Sequence, residues 1–178
     1  MPKIYLIRHE ETELRGFIGR TDPPLTAAGR EAAARKLGGL DVQAVYVSPL
    51  QRARQTAEAI RCAARPVVLE NLAEIDFGEW DGLTWEQIES KWPALARRKR
   101  DNWFATTCPG GESWQHFCAR VERALEQVRA GPKPAAIVAH VTVNAVLAAR
   151  LLGADPARFR QEHGEILTCE DACPHPVR

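Results

Sequence analysis

Short apolar runs alternate along the chain with longer segments in which apolar residues recur at helical spacing. The short runs are rich in β-branched residues and bounded by turn residues, which is typical of buried strands. Five strands are predicted, at residues 3–7, 44–47, 66–69, 135–139 and 165–169. Helices are predicted at residues 27–37, 50–63, 114–128 and 142–152, and a further helical stretch at 84–103 is broken at Pro93.

The alternation of strands and helices predicts an α/β fold. A helix between consecutive strands acts as a crossover, so the strands run mostly parallel and helices cover both faces of the sheet. The expected architecture is a three-layer α/β/α fold with a mostly parallel central sheet. Because no segment resembles a linker, we expect a single domain over residues 1–178. Within it we expect a helical excursion at about 84–113 and a loose tail at 170–178.

Ionisable side chains lie where several of the predicted strands end. Arg8 and His9 follow the first strand, and His140 follows the fourth. Arg52 lies near the start of the helix after the second strand, and Glu74 lies in the loop after the third. An isolated arginine–histidine pair is more often a surface feature, but the carboxyl ends of parallel strands meet at one edge of a sheet. We therefore expect these five side chains to converge.

Composition and charge limit the classes of partner. The 178 residues include 24 basic and 23 acidic side chains, which give a formal net charge of +1. This balance does not favour a nucleic-acid-binding or membrane-surface protein, so an anion site has to be built locally. The N-terminus has no apolar signal-peptide core, and polar residues interrupt the longest apolar region, 135–154. We expect a cytoplasmic protein, monomeric or homodimeric, with no nucleic-acid or membrane partner.

The cysteines do not indicate a disulfide framework, because they number five and their spacing is irregular. Cys169, Cys173 and His175 have a spacing at which a metal could be held, but free thiols in a tail are the favoured interpretation. Two further histidines, His116 on the long helix and His163 near the last strand, are interpreted as structural residues.

The five converging side chains suit a phosphate monoester. Arginine guanidinium groups bind phosphate oxygens in bidentate fashion. A neutral imidazole can attack phosphorus in line and form a phosphohistidine, while a second imidazole stabilises the transferring group. A protonated carboxylic acid can protonate the leaving oxygen and then accept a proton from the attacking water. Apolar neighbours such as Ile75 and Phe77 would help to keep that acid protonated.

The order of the motifs adds a family resemblance. The sequence resembles the histidine phosphatase superfamily, in its phosphoglycerate mutase-like branch, over nearly the whole chain up to about Gly153. The matching segments are LIRHEET at 6–12, PLTAAG at 24–29, SPLQRARQTA at 48–57, EIDFGEWDG at 74–82, PGGES at 109–113 and VAH at 138–140.

The resemblance implies a role for each residue of the site. His9 is the nucleophile that becomes phosphorylated, and Glu74 is the proton donor. The phosphate pocket is formed by Arg8, Arg52 and His140. The candidate substrate contacts are Arg8, Arg52, His140, Thr12 and Gly19. The resemblance implies no metal and no organic cofactor.

The sequence departs from the family's pattern at three positions. Glu10 and Val141 follow the two histidines where the family usually has glycine. We expect the Glu10 carboxylate to point away from the anion site. The loop after Thr12 is shorter than usual and has no clear counterpart of the family's phosphate-contacting asparagine. Arg15 and the backbone near Gly19 are the candidate replacements.

Three functions are compatible with these residues. The short chain and the compact loop at 15–25 resemble α-ribazole phosphatases, which remove a 5′-phosphate in the assembly of the lower ligand of cobalamin. The favoured hypothesis is a phosphomonoester hydrolase that acts on a small phosphorylated substrate, with α-ribazole 5′-phosphate as one candidate. A phosphoglycerate mutase is the second, although mutases of this branch are generally longer, with insertions that close over the site. The third is a protein that only binds a phosphorylated ligand, which Glu10 and Val141 favour.

Overall fold

The structure, a computed structural model, describes residues 2–171, which contain five strands, six α-helices and two short 3₁₀ helices at Glu70–Leu72 and Gly78–Trp80. The strands are β1 (Lys3–Arg8), β2 (Ala44–Val47), β3 (Val67–Val68), β4 (Ala135–Ala139) and β5 (Ile166–Glu170). The helices are α1 (Ala27–Leu37), α2 (Gln51–Ala57), α3 (Trp85–Lys91), α4 (Pro93–Asp101), α5 (Trp114–Ala130) and α6 (Val141–Leu152).

The strands form one sheet in the spatial order β3-β2-β4-β1-β5. The pairs β3–β2, β2–β4 and β4–β1 are parallel, and β5 is antiparallel to β1. The predicted α/β fold with a mostly parallel sheet is therefore confirmed. The carboxyl ends of the four parallel strands lie along the same edge of the sheet.

The two faces of the sheet bury separate apolar clusters, because neighbouring residues of a strand point to opposite sides. Ile4 and Leu6 of β1 pack in a cluster that includes Phe117 of α5. Ile7 packs on the opposite face with Leu37 of α1. Side chains of α6 belong to the first cluster and side chains of α2 to the second. Helices therefore cover both faces, as the three-layer prediction requires.

Two elements are shorter than predicted. α2 ends at Ala57 rather than at residue 63, because the hydrogen bonds that follow tighten to a three-residue spacing, as from the Ile60 N–H to the Ala57 carbonyl. This turn buries Ile60 in the cluster that α1 also covers. β3 contains only Val67 and Val68, whose side chains are exposed at the edge of the sheet.

The region predicted as a helical excursion, about 84–113, contains α3 and α4. Thr84 begins α3 with a reciprocal capping box, in which its hydroxyl and the side chain of Gln87 each bind a backbone N–H. Pro93 occupies the first turn of α4, at the predicted break. Ile88 of α3 is buried in the same cluster as α5, which attaches the excursion to the rest of the fold.

None of the helices within residues 2–171 has the length and apolar character needed to cross a membrane. In the same part of the chain, no three His, Cys, Asp or Glu side chains are arranged to hold a metal ion. Cys173 and His175, and most of the predicted tail, lie outside the described residues.

Candidate active site

The two histidines that follow β1 and β4 lie side by side because these strands are parallel neighbours. Arg8 pairs with Ala139 in the sheet, and the His9 N–H donates to the Ala139 carbonyl at 2.9 Å. The ring centroids of His9 and His140 are 5.2 Å apart, with an interplanar angle of 60°. The expected convergence of these two strand ends is therefore present in the fold.

A cavity of about 490 Å³ opens at this edge of the sheet, and we call it the strand-edge cavity. Of the predicted site residues, its wall includes Arg8, His9, Thr12 and Glu74. Two others lie deeper, beneath the wall: Arg52 is 0% exposed and His140 is 1% exposed. The exposed Arg15 also contributes to the wall, whereas Gly19 does not.

A hydrogen bond to its own neighbour fixes the orientation of the His9 ring. Its Nδ1 lies 2.8 Å from the Glu10 carbonyl, which can only accept, so Nδ1 carries the proton. Nε2 then carries a free lone pair. Burial, together with the nearby positive charge of Arg52, lowers the pKa of His9 from 6.5 to about 3. The ring is neutral near pH 7, as a nucleophile requires.

Carbonyl groups of the loop after β1 hold Arg52. Its Nη1 donates to the Thr21 carbonyl at 2.9 Å, and its Nη2 donates to the Gly19 carbonyl at 2.9 Å. The Gly19 N–H donates to an Asp81 carboxylate oxygen at 3.0 Å, so both backbone polar groups of Gly19 have protein partners. A Cβ on Gly19 would lie 2.5 Å from the Ile75 carbonyl oxygen, which explains the glycine. We therefore reassign Gly19 from a substrate contact to a support of Arg52.

A C-terminal segment that precedes β5 anchors Arg8. Its Nη1 donates to the Gln161 carbonyl at 2.7 Å. The buried Gln161 side chain in turn donates to the Leu6 carbonyl at 3.0 Å and accepts from the Asn144 amide at 2.8 Å. Gln161 thus ties β1, α6 and the approach to β5 together beside the site. It was not singled out from the sequence, because its partners are distant along the chain.

The His140 ring is held from one side only. Its Nε2 lies 2.7 Å from the Ser48 hydroxyl oxygen at the end of β2, and Ser48 also accepts from the Leu50 N–H. Burial is the main cause that lowers the pKa of His140 well below 6.5, so this ring is also neutral near pH 7.

Several donors around His9 have no protein acceptor. Within the described part of the chain, the buried atoms without a hydrogen-bond partner include Arg8 Nε, Arg52 Nε and His140 Nδ1. Buried polar atoms are ordinarily paired, so three unpaired nitrogens in one place indicate a site for an acceptor. An anion with several oxygens, such as a phosphate group, fits this set.

Glu74 supplies a buried carboxyl group to the same wall. It is 4% exposed, and its two oxygens face the backbone N–H groups of Ile75 at 2.8 Å and Thr142 at 3.4 Å. Burial raises the pKa of Glu74 above its ordinary value, although the two N–H groups and the charge of Arg52 oppose this shift. A carboxyl group with a raised pKa can serve as an acid near neutral pH.

Arg120 of α5 holds the loop that contains Glu74. It donates to the carbonyls of Asn71 at 2.9 Å, Ala73 at 2.7 Å and Glu74 at 3.0 Å. Its guanidinium also forms a bidentate pair with the Glu112 carboxylate, at 2.7 and 2.8 Å. The sequence analysis missed this residue, since an arginine on an amphipathic helix is usually solvated. The PGGES motif that contains Glu112 was the available signal.

Glu10 points away from the cavity, as expected. It is 2% exposed, and its carboxylate lies 2.7 Å from the Lys36 ammonium of α1. The same ammonium donates to the His163 carbonyl at 2.7 Å. The His163 side chain, interpreted from sequence as structural, lines the strand-edge cavity, with its ring centroid 5.7 Å from that of His9. The short interval between His163 and the start of β5 was the signal that could have identified it.

The fold and the site together define a class of protein in which parallel strands present histidines and arginines to an oxyanion. Comparison with protein families identifies that class: residues 4–169 match the histidine phosphatase superfamily, branch 1. The chain belongs to this superfamily, and the resemblance noted in the sequence is confirmed.

Two curated relatives show the range of the family. A bifunctional protein of Mycobacterium tuberculosis is 38% identical over 151 residues, which cover 79% of this chain and 41% of that protein. This chain thus spans about two fifths of that relative's length. Phosphoserine phosphatase 1 of Hydrogenobacter thermophilus is 31% identical over 169 residues, which cover 89% of this chain and 80% of that protein.

Two solved structures are similar in fold. The α-ribazole phosphatase from Shigella flexneri has a TM-score of 0.83 and 27% identity, covering 93% of this chain and 89% of that chain. The phosphoglycerate mutase from Thermus thermophilus has a TM-score of 0.74 and 32% identity, covering 93% of this chain and 91% of that chain. The proteins similar to this chain therefore include phosphatases and a mutase.

The Arg120 contacts predict a stability difference between two arginines of α5. Arg120→Ala removes the bidentate partner of Glu112 and the donor to three loop carbonyls, so we expect the free energy of unfolding to fall by about 3–5 kcal/mol. Arg123→Ala on the exposed face of the same helix is the matched control and should change it by less than about 0.5 kcal/mol. Urea denaturation measures both, and equal losses would contradict the assigned role of Arg120.

The His9 geometry predicts which protonation state is present. Because the pKa of His9 is lowered to about 3, its ring should stay neutral from pH 5 to pH 8, with the proton on Nδ1 and none on Nε2. Imidazole ¹⁵N NMR measures the tautomer and the titration directly, and His9→Gln assigns the signals by their loss. A His9 titration with a midpoint near the ordinary value of about 6.5 would contradict the site geometry.

Proposed function

We propose that the protein is a phosphomonoester hydrolase that acts through a phosphohistidine intermediate on His9. The observation that carries the proposal is the hydrogen bond from Nδ1 of His9 to the Glu10 carbonyl, which leaves the lone pair of Nε2 free. A buried neutral imidazole with this tautomer is prepared to attack phosphorus.

The phosphate group is bound by the donors that lack a protein acceptor. The guanidinium groups of Arg8 and Arg52 supply positive charge, and their unpaired Nε–H groups can donate to phosphate oxygens. Nδ1 of His140 is the third unpaired nitrogen that can donate. For Nδ1 to donate, Nε2 of His140 has to accept from the Ser48 hydroxyl, which lies 2.7 Å away. These groups are already fixed by other hydrogen bonds, so little reorganisation is required when charge develops on the transferring group.

Two displacements complete the reaction. In the first, Nε2 of His9 forms a bond to phosphorus while the bond from phosphorus to the ester oxygen breaks, and the Glu74 carboxyl group gives its proton to that oxygen. In the second, a water oxygen attacks phosphorus, the Glu74 carboxylate accepts a water proton, and the bond to Nε2 breaks. The products are the alcohol and inorganic phosphate, and both side chains return to their initial states.

Hydrolysis is preferred to mutase activity because the covering region is short. α3 and α4 contain seven and nine residues, and the strand-edge cavity includes the exposed side chain of Arg15 in its wall. A mutase has to exclude water while the phosphorylated histidine waits for its second alcohol. A protein that only binds phosphorylated ligands is disfavoured, because the Glu10 carboxylate is paired with Lys36 rather than placed beside the phosphate.

α-Ribazole 5′-phosphate is the first candidate substrate. The similarity to the Shigella flexneri α-ribazole phosphatase and the compact loop at 15–25 support it. Phosphoserine and 3-phosphoglycerate are the comparison substrates, since relatives that bear the corresponding names are also similar to this chain. We further propose a cytoplasmic protein, monomeric or homodimeric, that needs no metal or organic cofactor.

The test combines turnover with trapping of the intermediate. Released phosphate is measured with α-ribazole 5′-phosphate, phosphoserine and 3-phosphoglycerate, the last with and without a bisphosphate primer. We expect phosphate release and an alkali-stable, acid-labile phosphoenzyme. His9→Ala should abolish the label and lower kcat by about 10³-fold or more, because the nucleophile is lost. Glu74→Gln should lower kcat by about 10²- to 10⁴-fold.

His116→Ala on the exposed surface of α5 is the matched control and should retain label and turnover. Isomerisation of 3-phosphoglycerate without phosphate release would identify a mutase instead. Binding of phosphate esters with no label on His9 would identify a binding protein.

A further inference from the structure

A second cavity, of about 460 Å³, lies next to the strand-edge cavity and has a different chemistry. We call it the aromatic cavity. Its wall is formed mainly by the side chains of Trp103, Phe104, Trp114, Ala145 and Phe159, with Arg160 at its rim. The rings of Phe104 and Trp114 lie with their centroids 4.2 Å apart. Nothing in the proposed chemistry on phosphorus uses this cavity.

The two cavities share part of their walls. Trp103, Val141 and Thr142 line both of them. Thr142 is also the residue whose backbone N–H faces the Glu74 carboxyl group, at 3.4 Å. Glu74 is therefore near the junction of the cavities, and the ester oxygen that it protonates has to lie there too. The alcohol attached to that oxygen can extend directly into the aromatic cavity.

The charges around the aromatic cavity disfavour a cationic occupant. Among its described lining residues, Arg160 is the only ionisable side chain and no carboxylate is present. The ammonium of Lys99 lies 4.7 Å from the ring centroid of Trp103, so this indole already has a cation beside it. A neutral or anionic occupant is therefore favoured.

The shape and surface of the cavity favour a flat apolar group. Aromatic walls bind rings by stacking and by burial of apolar area. Trp103 is 38% exposed, and a ring placed on it would remove that surface from water. A small polar alcohol such as serine or glycerate would leave most of a cavity of about 460 Å³ unfilled.

We infer that the aromatic cavity is the subsite for the leaving group, and that the preferred substrates are phosphate esters whose alcohol carries a planar, uncharged or anionic ring. The inference rests on the proposed hydrolase function. It separates the substrate class into ring-bearing esters, which fill both cavities, and small polar esters, which fill only the strand-edge cavity.

The first arm of the test is turnover of a matched pair of esters. Ethyl phosphate and 2-(2-naphthyl)ethyl phosphate both release a primary alkoxide oxygen of similar basicity. They differ in the naphthyl ring, which only the second alcohol carries. We expect kcat/KM to be about 10- to 100-fold higher for the naphthyl ester, the effect of burying one ring. Equal values for the two esters would overturn the inference while leaving the hydrolase intact.

The second arm locates the preference in the cavity. Ala145→Leu on α6 narrows the aromatic cavity, and we expect the ratio of the two kcat/KM values to fall towards one. Ala149→Leu, one turn further along the same helix and outside the cavity wall, is the matched control and should keep the wild-type ratio. A ratio that is the same in both variants would place the preference elsewhere and overturn the inference.

The third arm needs neither turnover nor a variant. The phosphonates that correspond to the two esters cannot be hydrolysed, and isothermal titration calorimetry measures their binding to the wild-type protein. We expect the naphthyl compound to bind about 10-fold more tightly or better. If no ester is hydrolysed but this difference is found, the hydrolase proposal fails and the subsite stands. Equal affinities would reject the subsite.

Discussion

The site depends on one backbone hydrogen bond between neighbouring strands, from the His9 N–H to the Ala139 carbonyl. It continues the parallel pairing of β1 and β4 to the point where both strands end, so the next residues, His9 and His140, emerge together. This backbone arrangement sets where the two side chains begin, and the hydrogen bonds of His9 to the Glu10 carbonyl and of His140 to the Ser48 hydroxyl orient their rings. An edge of a parallel sheet is thus converted into a place where residues 131 positions apart can act on one group.

Burial then sets the protonation states in opposite and complementary directions. Removal from water disfavours the charged form of every group, so it lowers the pKa of His9 and raises the pKa of Glu74. The same environment therefore favours a neutral nucleophile and a protonated acid at one pH. Arg52 is buried in the same place, and removing its charge from water is unfavourable. Loop carbonyls accept hydrogen bonds from its Nη1 and Nη2 atoms. Nε of Arg52, Nε of Arg8 and Nδ1 of His140 stay unpaired, and phosphate oxygens can accept hydrogen bonds from them.

Much of the fold and of the site was accessible from sequence, because strand ends, turns and the order of motifs are local features. The residues that were missed or misinterpreted act over long separations: Arg120 holds the Glu74 loop from 46 positions away, and Gln161 accepts from Arg8 across 153 positions. Periodicity does not report such contacts. The predicted end of α2 was wrong for a related reason, since the burial of Ile60 in the tertiary core outweighs continuation of a helical pattern. The position of His163 beside His9 was not predicted from the sequence. It depends on the long-range pairing of β5, which runs antiparallel to β1 and brings the preceding segment to the site.

We propose that the fold presents Nε2 of His9 to phosphorus, with the unpaired donors of Arg8, Arg52 and His140 around it. A crystal structure of the protein with orthovanadate, which adopts the geometry of the transferring phosphoryl group, tests this most directly. We predict vanadium bonded to Nε2 of His9, with its oxygens accepting from Arg8, Arg52 and His140. Vanadate bound away from His9, or a His9 ring whose Nε2 is hydrogen-bonded to the protein instead, would contradict it.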